Sequence, residues 1–122
     1  MVATLTKAER LCGKAAVERL IGSGRWGSAG PLRYCLLAGN GQEVDRILLS
    51  VPKKLFKRAV KRNLLKRRLR EAYRTRKSLL GDSGRLHADL LLQYNTKEML
   101  SSVQILEAVE RVLTDAAPQL SK

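Results

Sequence analysis

Thirteen lysines and arginines fall between residues 52 and 78, at positions 53, 54, 57, 58, 61, 62, 66, 67, 68, 70, 74, 76 and 77, against one acid, Glu71. That stretch holds +12 of the chain's formal +13, and everything else is close to neutral. Charge kept for solubility is dispersed, whereas a surface that binds a polyanion needs its cations together. A helix through this segment places Asn63, Arg67, Arg70 and Arg74 on one face at i, i+4, i+7 and i+11, with Lys66 beside them and Leu65, Leu69 and Ala72 roughly opposite. Guanidinium groups bind phosphate through two parallel hydrogen bonds, and an amide both donates and accepts. Lys54, Arg58 and Arg62 extend the same candidate set towards the start of the segment. Like charges stacked one turn apart repel, so this face is poor design for a helix with only a structural role. A merely solvated face is the ordinary explanation of a charge run, but +12 in 27 residues argues against it. A membrane-surface helix sets bulky apolar groups opposite its charges, and here that face is narrow and needed for a core.

Other chemistry is sparse. The single histidine, His87, stands near Asp89 with no nucleophile pattern around it, and there is no glycine-rich phosphate loop, zinc spacing or paired carboxylate set for two metals. Catalysis by the polypeptide alone is not expected. Cys12 and Cys35 lack metal-type spacing and read as free thiols. Neither a signal peptide nor a membrane span is visible, so a cytoplasmic protein that does not engage membranes is expected.

The elements that must carry the basic face follow from periodicity. The 122 residues suit one domain, with a core mainly of Leu, Val, Ile and Ala. Thr6 and Glu9 have capping-box spacing ahead of a helix running to Ile21, and Gly22 to Gly24 stops it. Residues 32–38 and 46–51 read as strands joined by the turn signal Gly39-Asn40-Gly41, which predicts a hairpin. Residues 55–78 form the basic helix, Gly81 to Gly84 break it, and residues 88–94 are apolar enough for a strand. Ser101 and Gln104 offer a second capping box, opening a helix with Val103, Leu106, Val109, Glu110 and Leu113 as its stripe and an end before Pro118. The expected fold is α+β: a single two-layer domain over residues 1–122, a small mostly antiparallel sheet packed with helices in the order α-β-β-α-β-α. One extra strand has room near Trp26.

The run Lys53 to Arg74 closely resembles the signature of the bacterial ribonuclease P protein component. That pattern has Lys-Arg-Ala-Val, a variable residue, Arg-Asn-Arg, an aliphatic residue, Lys-Arg and then Arg-Glu-Ala. Arg58, Ala59, Val60, Arg62, Asn63, Lys66, Arg67, Arg70, Glu71 and Ala72 match it, while Leu64 replaces the last arginine of Arg-Asn-Arg. The resemblance implies a ribosomal-protein-like fold and a non-catalytic subunit of a ribonucleoprotein that removes the 5′ leader of precursor tRNA. Its partners would be the catalytic RNA and the precursor, with Mg²⁺ bound mainly by RNA and no obligate protein partner. The basic helix would dock on the catalytic RNA, and a cleft between the first helix and the sheet would hold the leader. Val17 and Ile21 fall where the family commonly has cleft aromatics. Tyr34 is the strand aromatic available to stack there, a core tyrosine being the alternative, and Trp26 is open to the same two readings. A structural RNA-binding protein such as a small ribosomal protein is the runner-up, and a duplex-DNA binder with a recognition helix a third reading.

Overall fold

A computed structural model describes residues 7–81 and 85–120. The main elements are α1 (Lys14–Ser23), β1 (Arg25–Ala29), β2 (Leu32–Ala38), β3 (Arg46–Ser50), α2 (Ala59–Arg76), β4 (Ala88–Tyr94) and α3 (Ser102–Ala116). Short 3-10 turns at Lys7–Glu9, Lys77–Leu80 and Ala117–Leu120 complete them. The sheet order is β1-β2-β4-β3, with β1–β2 and β2–β4 antiparallel and β3–β4 parallel. The α+β, mostly antiparallel expectation stands, and the additional strand near Trp26 is β1.

The predicted hairpin between residues 32–38 and 46–51 does not form, because β4 lies between them. Gly39, Asn40 and Gly41 do not make a two-residue turn. The amides of Gly39 and Asn40 both donate to the His87 carbonyl, and the Asn40 side chain donates to Asp89, so this loop is tied to the start of β4. It carries the chain past β4 to the sheet's far edge. β3 then returns to its parallel neighbour through α2, because parallel neighbours need a long crossover.

Burial follows the two-residue alternation of the strands. Leu32, Tyr34, Leu36, Ile47, Leu90, Leu92 and Tyr94 join Leu65, Leu69 and Tyr73 of α2 and Ile105, Val109, Val112 and Leu113 of α3 in the main core. Leu11, Leu20, Cys35 and Leu91 form a smaller cluster on the opposite sheet face, under α1. Cys12 is exposed, Cys35 is buried, and both are free thiols.

Helix α1 starts at Lys14, later than the Thr6–Glu9 spacing predicts. Thr6 is outside the described residues; Glu9 lies in the 3-10 turn and accepts from Lys77 Nζ at 2.8 Å. Between them and the helix, Leu11 bonds to the edge of β3 and Gly13 takes φ 94°, a conformation that interrupts a helix. The break at residues 81–84 is described only at Gly81, since 82–84 are outside the described residues. The Ser101–Gln104 capping box forms in both directions. The α3 stripe is rotated from the predicted one: Val103 is exposed, and Ile105, Ala108, Val112 and Ala116 fill the core with Val109 and Leu113.

Candidate nucleic-acid interface

Helix α2 begins later than its composition suggests, and the reason is packing. The Pro52 carbonyl accepts from Leu55 and Phe56, turning the chain so that Phe56 enters the core edge-on to Tyr94, 5.6 Å between ring centroids. Arg58 is then the N-cap, in an extended conformation without a side-chain cap bond. Lys53, Lys54 and Lys57 therefore precede the helix, and Lys54 is exposed on the turn. Leu65, Leu69, Ala72 and Tyr73 are the buried face of α2. Burial pushes the Tyr73 hydroxyl well above its ordinary pKa, with Asp45 and Glu9 adding to the shift.

The cations of α2 divide into two groups. Several are bound within the protein. Arg62 Nη1 donates to the carbonyls of Phe56 and Lys57, both at 2.8 Å, holding the turn before the helix. Arg68 donates to the Leu100 carbonyl at 2.6 Å, fixing α2 to the approach of α3. Arg74 pairs with Glu71 at 2.7 Å, and Arg76 with Glu110 at 2.7 Å. Glu71 is held below the ordinary carboxylate range, first by the hydrogen bond and charge of Arg74. The other group comprises Lys61, Lys66, Arg67 and Arg70, joined by Arg58 at the N-cap and the amide of Asn63, whose side chains make no hydrogen bond or ion pair among the described residues. All are exposed except Lys66, which is partly so. Asn63, Arg67 and Arg70 line one shallow depression with Val60 and Leu64. That depression is a surface of unspent donors that phosphate oxygens can fill.

The second candidate surface is the α1 side of the sheet. Val17 is half-buried against the small cluster there, and Ile21 is exposed. Tyr34 does not belong with them. It is 7% exposed, it points into the main core on the other side of the sheet, and its ring fills the space over Gly27, where a Cβ would lie 2.6 Å from it. The aromatic on the α1 side is Trp26, 39% exposed, with the Arg33 guanidinium 4.3 Å from its ring centroid. Register places Trp26 opposite Cys35 and Ser28 opposite Arg33, so these residues share the face that α1 leaves uncovered. The alternation Leu32-Arg33-Tyr34-Cys35 already separates Arg33 from Tyr34 in the sequence.

His87 is beside Asp45, not Asp89, with Nδ1 3.5 Å from the carboxylate and otherwise without a hydrogen-bond partner. Asp89 is fully buried and accepts from Arg46 Nε and Nη2, each at 2.8 Å, and from Asn40 at 3.0 Å. Among the described residues no three His, Cys, Asp or Glu side chains converge as metal ligands, and no helix is long and apolar enough to cross a membrane.

An α+β scaffold that devotes its longest helix to an unpaired cationic face defines a class of small proteins suited to holding a polyanion. The chain belongs to the Ribonuclease P family, whose model matches residues 5–117. It is similar to the ribonuclease P protein component of Porphyromonas gingivalis, 44% identical over 80 residues that cover 64% of this chain and 58% of the relative. The chain thus spans less than two thirds of that relative's length. It is also similar to the ribonuclease P protein component of Chlorobaculum tepidum, 34% identical over 113 residues, covering 84% of this chain and 73% of the relative. The solved structure of the Staphylococcus aureus RNase P protein matches with a TM-score of 0.75 at 27% identity, over 90% of this chain and 96% of that one.

Proposed function

We propose that this chain is the protein subunit of ribonuclease P, binding the catalytic RNA through the outward face of α2 and the single-stranded 5′ leader of precursor tRNA through the α1 side of the sheet. The observation that carries the reading is the set Asn63, Lys66, Arg67 and Arg70, without a hydrogen bond or ion pair among the described residues, on the outward side of a helix whose other face is locked into the core, with Arg58 exposed at its N-cap. Neutralising phosphates there lowers the Mg²⁺ required for RNA folding and substrate binding, because cations on the protein replace condensed counterions. In this reading the metal and the cleavage step belong to the RNA. The leader lies across Trp26 and Arg33, where an exposed indole and a guanidinium offer stacking to unpaired bases, with Ile21 and Val17 on the helix side.

The test is precursor tRNA cleavage by the cognate catalytic RNA at low Mg²⁺, without protein, with wild type, and with Arg58/Arg67/Arg70→Ala. Wild type restores leader removal and the triple variant does not, while its melting temperature stays that of wild type because none of the three side chains makes a hydrogen bond or ion pair among the described residues. If wild type fails to stimulate cleavage, the chain is a general RNA-binding protein and the subunit reading is wrong.

A further inference from the structure

Beyond the phosphate-facing surface lies a groove between α2 and α3 of about 540 Å³, lined by Leu64, Arg67, Arg68, Glu71, Ala72, Thr75, Ser102 and Leu106. Its size is that of ordinary small-ligand sites. Arg68, bound to the Leu100 carbonyl, fixes α2 to the segment that leads into α3, and Val103, next to Ser102, is 65% exposed. Leu64 and Arg67 also line the outward depression with Asn63 and Arg70, so groove and cationic face are continuous across one ridge of α2.

The lining suits a base better than a phosphate. Leu64, Ala72 and Leu106 give an apolar floor, and the Glu71 carboxylate would repel a phosphate placed beside it. A carboxylate does accept hydrogen bonds from the amino hydrogens of cytosine, adenine or guanine. Arg74 Nε and Nη2 each donate to Glu71 Oε2 and hold the side chain in place. The phosphates flanking such a nucleotide would meet Arg67 and Arg70. Leu64 is also the position where the family signature carries arginine, and leucine there keeps the floor apolar.

We propose that the α2–α3 groove receives one unpaired, amino-bearing nucleotide of the RNA docked on α2, its base lying on Leu64 and Leu106 and its amino group donating to Glu71. The proposal rests on the ribonuclease P reading for the identity of the RNA. Base extrusion into a protein pocket is sequence-tolerant when stacking supplies the contact and selective when an acceptor reads the edge.

Two measurements test it on the full-length protein. In the first, amide NMR shifts of the free protein are followed during titration with CMP, UMP and ribose 5-phosphate. CMP moves Ser102 and Leu106, UMP moves them less, and ribose 5-phosphate perturbs only the Arg67–Arg70 region. Equal shifts from ribose 5-phosphate, or no response to CMP, overturn the proposal. In the second, catalytic RNA is bound at several salt concentrations by wild type, Ser102→Trp and Arg67/Arg70→Ala. Because Ser102 is exposed and is not the N-cap, filling the groove from this position leaves the melting temperature unchanged. Ser102→Trp should weaken binding at least about fivefold, the lower end of what one stacked base contributes, without changing the salt slope. Wild-type affinity for Ser102→Trp, with a reduced slope for the double arginine variant, refutes the pocket and leaves the docking face standing. An unchanged slope for the double arginine variant refutes the docking face itself.

Discussion

The division of the α2 cations into free and internally paired groups has a measurable consequence in salt dependence. Each phosphate neutralised by a protein cation releases counterions and contributes about 0.9 to the slope of log affinity against log salt on a duplex, and about 0.7 on a single strand. Arg67 and Arg70 make no hydrogen bond or ion pair among the described residues, so Arg67/Arg70→Ala should flatten the slope by about 1.4–1.8. Arg76 carries the same formal charge on the same helix but is neutralised by Glu110 at 2.7 Å. Arg76→Ala should therefore leave the slope nearly unchanged. Arg62→Ala separates a third behaviour: its guanidinium holds the Phe56 and Lys57 carbonyls, so the melting temperature falls along with affinity. The assay is fluorescence anisotropy or filter binding of labelled catalytic RNA over a KCl series, with thermal melts run in parallel. If Arg76→Ala flattens the slope as much as the double variant does, binding responds to total charge and the reasoning from a defined face is refuted.

Two further outcomes concern the scaffold. Asp89→Ala leaves the Arg46 guanidinium, only 17% exposed, without its bidentate partner, and should cost about 3–5 kcal/mol, read as a loss of denaturation midpoint in urea. Replacing Arg46 and Asp89 together with leucines should recover much of that loss, and no recovery would show that the ion pair is not what Asp89 contributes. Asp45 is a pH marker. Burial works to raise its pKa, but the hydrogen bonds from Arg85 and the Ala88 amide, with the charges of Arg85 and His87, outweigh it and hold the carboxyl below its reference 3.8. A depressed folded-state pKa contributes stability that is present above 3.8 and is lost as pH falls through the lower folded value. Asp45→Asn should accordingly lower the melting temperature at neutral pH and converge with wild type in strong acid; parallel curves down to pH about 2 would contradict this.

The basic helix, β4 and α3 are legible in the sequence because each has a strong local signal: uninterrupted helix formers, an apolar run, a reciprocal capping box. The exposed aromatic on the α1 side of the sheet is harder to read. Tyr34 and Trp26 look equivalent by composition, and only the register Trp26–Cys35 and Gly27–Tyr34 puts them on opposite faces of the sheet. The hairpin expectation fails because Gly39-Asn40-Gly41 carries a turn's composition while bonding to His87 and Asp89, some fifty residues onward, a non-local fact. The true start of α1 is masked because Gly13 works through its φ of 94°, not through a pattern of neighbours. The pairing of Arg68 and Arg76 depends on Leu100 and Glu110 reaching α2 from elsewhere in the fold, whereas the Glu71–Arg74 pair, three residues apart on one helix, is legible from spacing.

Because α2 is the crossover between the parallel strands β3 and β4, the cationic segment is anchored to the sheet at both ends. Its own charges oppose the helix, and tertiary contacts made far along the chain hold it in place. If the proposed RNA docks on α2, it would relieve that repulsion and favour the native state by mass action, so that nucleic acid would behave as part of the folding equilibrium. On the proposed reading, chain bound to its RNA would resist proteolysis more than free chain, which has no counterion for its basic helix.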